Sequence, residues 1–113
     1  GGFRIVGGDE ICLRLAERLR PSRVVFLMDV PGILADVRDP SSLIPELDPA
    51  SARELAGRLS GADATGGVAA KLSFAASIAE LGIEVHLVSG RSPPDILKAT
   101  AGGRPRGTLV RGR

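Results

Sequence analysis

The chain has 113 residues, 43% of them hydrophobic and only three aromatic, with a net charge of +2 and one cysteine. That composition fits a single domain, residues 1–113, with a modest core of Leu, Val, Ile and Ala. It excludes an intrachain disulfide, the small net charge argues against a nucleic-acid partner, and no apolar run is long enough to span a bilayer.

Arg4 to Val6 reads as a short strand that runs into Gly7-Gly8-Asp9. From Asp9 the apolar residues recur at helical spacing to Leu19, and Pro21 stops the helix. Cys12 shares the stripe of Ile11, Leu15, Ala16 and Leu19, which makes it a core residue and not a reactive thiol. Arg23 to Met28 is a continuous apolar run, the pattern of a parallel strand covered on both faces. A turn, Asp29-Val30-Pro31-Gly32, follows it. Ser42 to Leu47 fits an edge strand, and Pro49 to Leu59 a helix. A helix from Gly67 buries Val68, Leu72, Ala75 and Ala79, with Gly82 where the residue past its end is expected.

Glu84 to Val88 is a strand with His86 on the face opposite Val85 and Leu87, packed or half-exposed. Ser92-Pro93-Pro94-Asp95 supplies a cap, a proline and an acidic first turn, and opens a helix to Thr100. Thr108 to Val110 is a last strand, and the basic C-terminal residues Arg104, Arg106, Arg111 and Arg113 read as a solvated tail. Strands alternating with helices imply an α/β fold, a mainly parallel sheet with helices on both faces. With no element before its first strand, the chain reads as the later part of something longer.

The segment Asp63-Ala64-Thr65-Gly66-Gly67-Val68-Ala69-Ala70-Lys71 carries the chemistry. It sets a lysine in the first turn of a helix, where the backbone already presents partial positive charge. An anion between the free N–H groups and the ammonium removes the conflict, as phosphate does at many helix N-termini. Thirteen of the fifteen basic residues are arginine, so the chain uses a mobile point charge at Lys71 where it otherwise prefers a planar fork. The alternative is a surface lysine laid along the edge of an apolar stripe.

Ligands of open α/β sheets bind beyond the carboxyl ends of strands. Four polar or glycine-rich segments fall there: Gly7-Gly8-Asp9, Asp29 to Gly32, Thr65-Gly66-Gly67 with Lys71, and Ser89-Gly90-Arg91. Asp9 and Asp29 could orient lysines, hold Mg²⁺ or bind ribose, or act simply as a helix cap and a turn former. Neither a P-loop nor G-x-G-x-x-G is present, no metal-ligand spacing appears, and His86 pairs with no Ser or Asp in a catalytic pattern.

Val25-Phe26-Leu27-Met28-Asp29-Val30-Pro31-Gly32-Ile33-Leu34 and Asp63 to Lys71 resemble two signature segments of the amino acid kinase family. Val6-Gly7-Gly8-Asp9-Glu10-Ile11 and Pro105-Arg106-Gly107-Thr108 resemble segments of its isopentenyl phosphate kinase branch. Met28 stands where the family has threonine, and Val68 where it has methionine. The resemblance covers nearly the whole chain but only the C-terminal, ATP-binding half of a family member. It implies a three-layer αβα sandwich present as a partial fold.

It further implies that Gly66, Gly67, Thr65 and Lys71 contact ATP phosphates, that Asp29 and Gly32 belong to the nucleotide pocket, and that Gly7 and Gly8 touch the substrate. Asp9 would orient catalytic lysines, with Lys71 and Asp9 the catalytic pair. The implied reaction is ATP- and Mg²⁺-dependent transfer to a small phosphorylated acceptor, isopentenyl phosphate first, in a homodimeric full-length protein of the cytoplasm. Uridylate or fosfomycin-type kinase chemistry, or a non-catalytic nucleotide-binding module, are the alternatives. The strands flanking residues 4–6 and 23–28 are expected to be partly absent, leaving sticky sheet edges.

Overall fold

The computed structural model describes residues 4–7, 9–36, 38–60 and 67–112. In chain order the elements are β1 (Arg4–Gly7), α1 (Glu10–Leu19), β2 (Arg23–Met28), a 3₁₀ turn (Pro40–Ser42) and β3 (Glu46–Leu47). They continue with α2 (Pro49–Ser60), α3 (Val68–Ala79), β4 (Glu84–Ser89), α4 (Pro93–Thr100) and β5 (Thr108–Val110). The five strands form one sheet in the order β1-β2-β4-β5-β3. β1, β2 and β4 run parallel, and β5 runs antiparallel to β4 and parallel to β3, so the sheet is mixed but mainly parallel.

Alternation along β2 and β4 builds the layers. Val24, Phe26, Met28, Val85 and Leu87 face one core, which α1, α2 and α3 close with Cys12, Ala16, Ala52, Ala56, Leu72, Ala75, Ala76 and Ile78. Val25 and Val88 face the other side and pack beneath Ala99 and Ile96 of α4. Burial on both faces is why β2 reads as an unbroken apolar run. α3 is wedged between α1 and α2, so small residues dominate its surface and let its neighbours approach closely. This is the three-layer αβα sandwich.

Helix ends follow local chemistry. The Asp9 carboxylate accepts from the Ile11 N–H at 3.1 Å and caps α1. Arg20 ends α1 in the left-handed conformation (φ 49°), its N–H bonded to Ala16 O, and Pro21 forbids continuation.

Three expectations need correction. Ser42 to Leu47 is not a continuous strand: Pro45 has no N–H to give a ladder, and only Glu46–Leu47 pairs with β5. Asp39 and Ser42 instead spend their hydrogen bonds on the 3₁₀ turn, whose end meets Leu34 through an isolated bridge at Leu43. β2 lacks no flanking strand, since β1 and β4 pair it on both sides, while β1 has a single partner among the described residues. Nor do the basic C-terminal residues all fray. Arg104 bonds Pro45 O and Glu46, and Arg111 reaches Glu46 and Glu84, tying the segment around β5 to β3 and β4.

Candidate functional site

Register brings the expected segments together. Gly7 lies beside Phe26 and Met28 beside Ser89, so the carboxyl ends of β1, β2 and β4 form one continuous edge. Lys71 closes the first turn of α3, its N–H bonded to Gly67 O at 3.0 Å, and its side chain runs back to that edge. There Nζ donates to Leu27 O at 3.0 Å in a partly buried position. An ammonium has three donors, and the carbonyl takes one. Those that remain are directed by a fixed stem at the end of the central strand, next to exposed Asp29. The adjacent Met28 O accepts the Gly90 N–H at 2.8 Å, which pins the loop after β4 to the same strand end.

Gly67 caps α3 in the left-handed conformation (φ 80°), exposed and with open space where a Cβ would stand. Among the described residues no side chain caps the helix N-terminus behind it. Thr65, Gly66 and Gly8 lie outside the described residues.

Two of the expected ligand glycines are required by packing. A Cβ on Gly32, which is buried, would sit 2.8 Å from Leu43 Cδ1 and 2.9 Å from Thr108 Oγ1. A Cβ on Gly7 would collide with Cys12 Sγ. Asp9 is exposed and serves as the α1 cap, one strand away from Lys71. The structure therefore gathers Lys71, Asp29, Gly67 and the Gly90 loop around the end of β2, with Gly7 and Asp9 beside them at the end of β1.

Sequence reasoning missed Thr108. Its buried hydroxyl accepts from Ile33 N–H at 2.9 Å and donates to Ile44 O at 2.6 Å, clasping the loop that carries Asp29 and Gly32 onto β5. The Gly107-Thr108 pair in the sequence was the signal. A Cβ at Gly107 would collide with Leu87 O, so the chain enters β5 against the backbone of β4.

The opposite end of the sheet holds a cleft of about 950 Å³ lined by Glu46, Asp48, Glu80, Glu84 and Arg111, among others, and by none of the expected site residues. Its acids are already engaged: Glu46 and Glu84 by arginines, Glu80 by Arg53, Asp48 by the Ser51 N–H. The cleft is thus lined by side chains that neighbouring groups hold in place. Beside it His86 is buried, with Nε2 3.3 Å from Glu84 Oε1, an oxygen shared with Arg23. Burial, reinforced by the Arg23 charge, holds the imidazole below its ordinary value against the pull of Glu84. Burial also pushes Glu84 upward, but the His86 hydrogen bond and the Arg23 charge outweigh it and leave the carboxyl lowered. His86 belongs to this structural cluster and not to the strand-end site. Among the described residues no group of three or more His, Cys, Asp or Glu side chains could hold a metal, and no helix is long and apolar enough to cross a membrane.

The fold is an α/β sheet whose parallel strand ends gather Lys71, Asp29 and the Gly90 loop along one edge. The amino acid kinase family pattern matches residues 1–89, and the chain belongs to that family. It is 32% identical over 93 residues to an acetylglutamate kinase of Akkermansia muciniphila, covering 81% of this chain and 30% of that protein. It is 30% identical over 119 residues to the isopentenyl phosphate kinase of Methanothermobacter thermautotrophicus, covering 98% and 43%. The solved product complex of T. acidophilum isopentenyl phosphate kinase superposes with a TM-score of 0.63 at 26% identity, covering 91% and 38%. The chain thus spans 30–43% of the length of these curated relatives. Near-equal identity to acetylglutamate and isopentenyl phosphate kinases supports the family and does not single out the branch expected from Val6 to Ile11.

Proposed function

We propose that this chain is the ATP-binding portion of a phosphotransferase that acts on a small phosphorylated acceptor, isopentenyl phosphate being the first candidate. The observation that carries the reading is the Lys71 ammonium, held at 3.0 Å by Leu27 O with donors to spare beside the open N-terminus of α3. Phosphoryl transfer asks the protein for positioning and for positive charge more than for covalent chemistry. In this reading Lys71, with Thr65, Gly66 and Gly67, binds the triphosphate of ATP, and Lys71 follows the transferring group as a point charge. Asp29 and the turn to Gly32 border the nucleotide. Gly7 and Gly8 approach the acceptor, and Asp9 orients lysines supplied by the rest of a family fold.

Mg²⁺, when bound, would neutralise phosphate charge. Asp29 and Asp9 are the described carboxylates at this edge, and the bulk of its coordination would come from phosphate and water. The protein carrying this chain would work on small-molecule substrates in the cytoplasm, as a homodimer. Uridylate and fosfomycin-type acceptors, or nucleotide binding without turnover, remain the alternatives. Similarity to acetylglutamate kinases favours one further reading, a carboxylate acceptor.

The test separates nucleotide from acceptor. Lys71→Ala should weaken ATP binding by the 113-residue chain and, within a complete kinase, lower turnover by about 100-fold or more. Lys71→Arg should recover only part of it, because the planar fork cannot follow the moving group as an ammonium does. Unchanged ATP affinity in Lys71→Ala would remove the assignment. Specificity constants of the complete enzyme for isopentenyl phosphate, UMP and N-acetylglutamate then decide the acceptor.

A further inference from the structure

We propose that Arg91 is a second phosphate-binding cation of this edge. The inference rests on the nucleotide reading above and deepens it. Two successive carbonyls at the end of β2 organise the site: Leu27 O holds the Lys71 ammonium at 3.0 Å, and Met28 O holds the Gly90 N–H at 2.8 Å. Arg91 follows directly on that second anchor. Its own N–H is fixed by Ser89 Oγ at 3.1 Å, and the Ser92 N–H by Ser89 O at 3.3 Å, so its Cα is set by a tight turn before α4 begins at Pro93. The base of this side chain is therefore as well located relative to β2 as that of Lys71, although its tip is exposed.

The charge pattern gives the position its meaning. Arg14, Arg23, Arg53, Arg58, Arg104 and Arg111 sit in ion pairs. Arg18, Arg20, Arg38 and Arg106 have none among the described residues, but none of them follows the Gly90 anchor, so position and not pairing alone singles out Arg91. Among the described residues Arg91 has no carboxylate partner. The acid that follows it on α4, Asp95, is occupied by Ser92 Oγ at 2.7 Å and the Arg106 N–H at 3.1 Å. An unpaired guanidinium on a pinned loop, one strand over from a lysine at the same sheet edge, matches a polyanion whose charge exceeds what one ammonium neutralises. The two cations divide the work by their chemistry. The compact ammonium of Lys71 follows the group being transferred, and the rigid fork of Arg91 grips a phosphate that stays behind, by two parallel hydrogen bonds.

The experiment titrates the 113-residue chain with ATP, ADP, AMP and adenosine, read by NMR chemical shifts. The proteins are wild type, Arg91→Ala, Arg91→Lys and Lys71→Ala, each matched in far-UV circular dichroism. The expected result is an about tenfold weaker affinity of Arg91→Ala for ATP, the scale of one charge-assisted contact. The loss should shrink as phosphates are removed, vanish for adenosine, be partly restored in Arg91→Lys, and fade at high salt. Equal losses for ATP and adenosine would mark a structural role and overturn the proposal. So would an unchanged Arg91→Ala beside a weakened Lys71→Ala, which leaves the nucleotide reading standing. A wild-type chain that binds none of the four overturns both.

Discussion

Replacing Thr108 by valine tests the clasp that holds the Asp29 loop. The substitution keeps shape and removes one hydroxyl, so the change in stability reports hydrogen bonding with little cavity term. Two partners are orphaned. The Ile33 N–H belongs to a residue that is 2% exposed and has no route to water, and the Ile44 carbonyl is half-buried and partly rescued by solvent. An unsatisfied buried donor costs about 1–3 kcal/mol, and the carbonyl adds less, so the sum is about 2–4 kcal/mol. Against a total of about 5–15 kcal/mol for an ordinary domain, this is a large fraction.

Urea unfolding followed by circular dichroism should show the midpoint falling with an unchanged slope, since the same surface is exposed in both proteins. Thr108→Ser, which retains the hydroxyl and loses a methyl, should cost no more than about 1 kcal/mol. A Thr108→Val protein within about 0.5 kcal/mol of wild type would mean that the loop is held by packing alone, and the hydrogen-bond reasoning would fail.

Gly7→Ala should destabilise by about 1–3 kcal/mol through the collision of its Cβ with Cys12 Sγ, and the double change Gly7→Ala, Cys12→Ala should recover much of that loss; additive penalties in denaturant melts would refute the contact. His86 titrates below its ordinary 6.5 in the folded state, so its contribution is complete above that value and is lost as pH falls from it through the lowered folded value. His86→Gln should flatten the stability–pH curve in that window. The lowered Glu84 acts in a separate range, its contribution disappearing only as pH falls from 4.5 downward. Stability of wild type and His86→Gln that runs parallel between neutral pH and 5 would contradict this assignment.

Periodicity encodes the elements whose burial is local. β2 and β5 fall on their expected residues because an unbroken apolar run and a Thr-Leu-Val triplet follow from burial on both faces, which is a local property of the chain. The cap at Asp9 and the stop at Pro21 were equally legible, since each acts within one turn. Ser42 to Leu47 fits an edge strand by its apolar residues, whereas the missing N–H of Pro45 limits the pairing to two residues. The glycines divided along the same line. A positive φ at Gly67 and Gly82 follows from their places at helix ends. What crowds Gly7 and Gly32 is set by Cys12, Leu43 and Thr108, and contacts of the last kind depend on how distant segments pack.

The candidate site shows the same boundary in its chemistry. That a lysine in the first turn of a helix wants an anion could be argued from charge alone, and so could the competing picture of an alkyl stem laid along an apolar face. The structure shows the stem of the second picture, and the anion of the first belongs to the proposed function. The Lys71 stem is half-buried, and its ammonium finds a carbonyl 44 residues earlier in the chain. No side chain could have announced that partner, because a backbone oxygen is the same at every residue; only the sheet decides which one is presented. Among the described residues the ammonium has one neutral acceptor and no carboxylate partner. In the proposed site an anion arriving at the end of β2 would meet a cation that no described carboxylate holds. A carboxylate at the place of Leu27 O would have anchored Lys71 more tightly and left less for a phosphate. In the proposed reading the weaker anchor leaves this lysine available, and it ties a fold-determined carbonyl to the chemistry proposed for the chain.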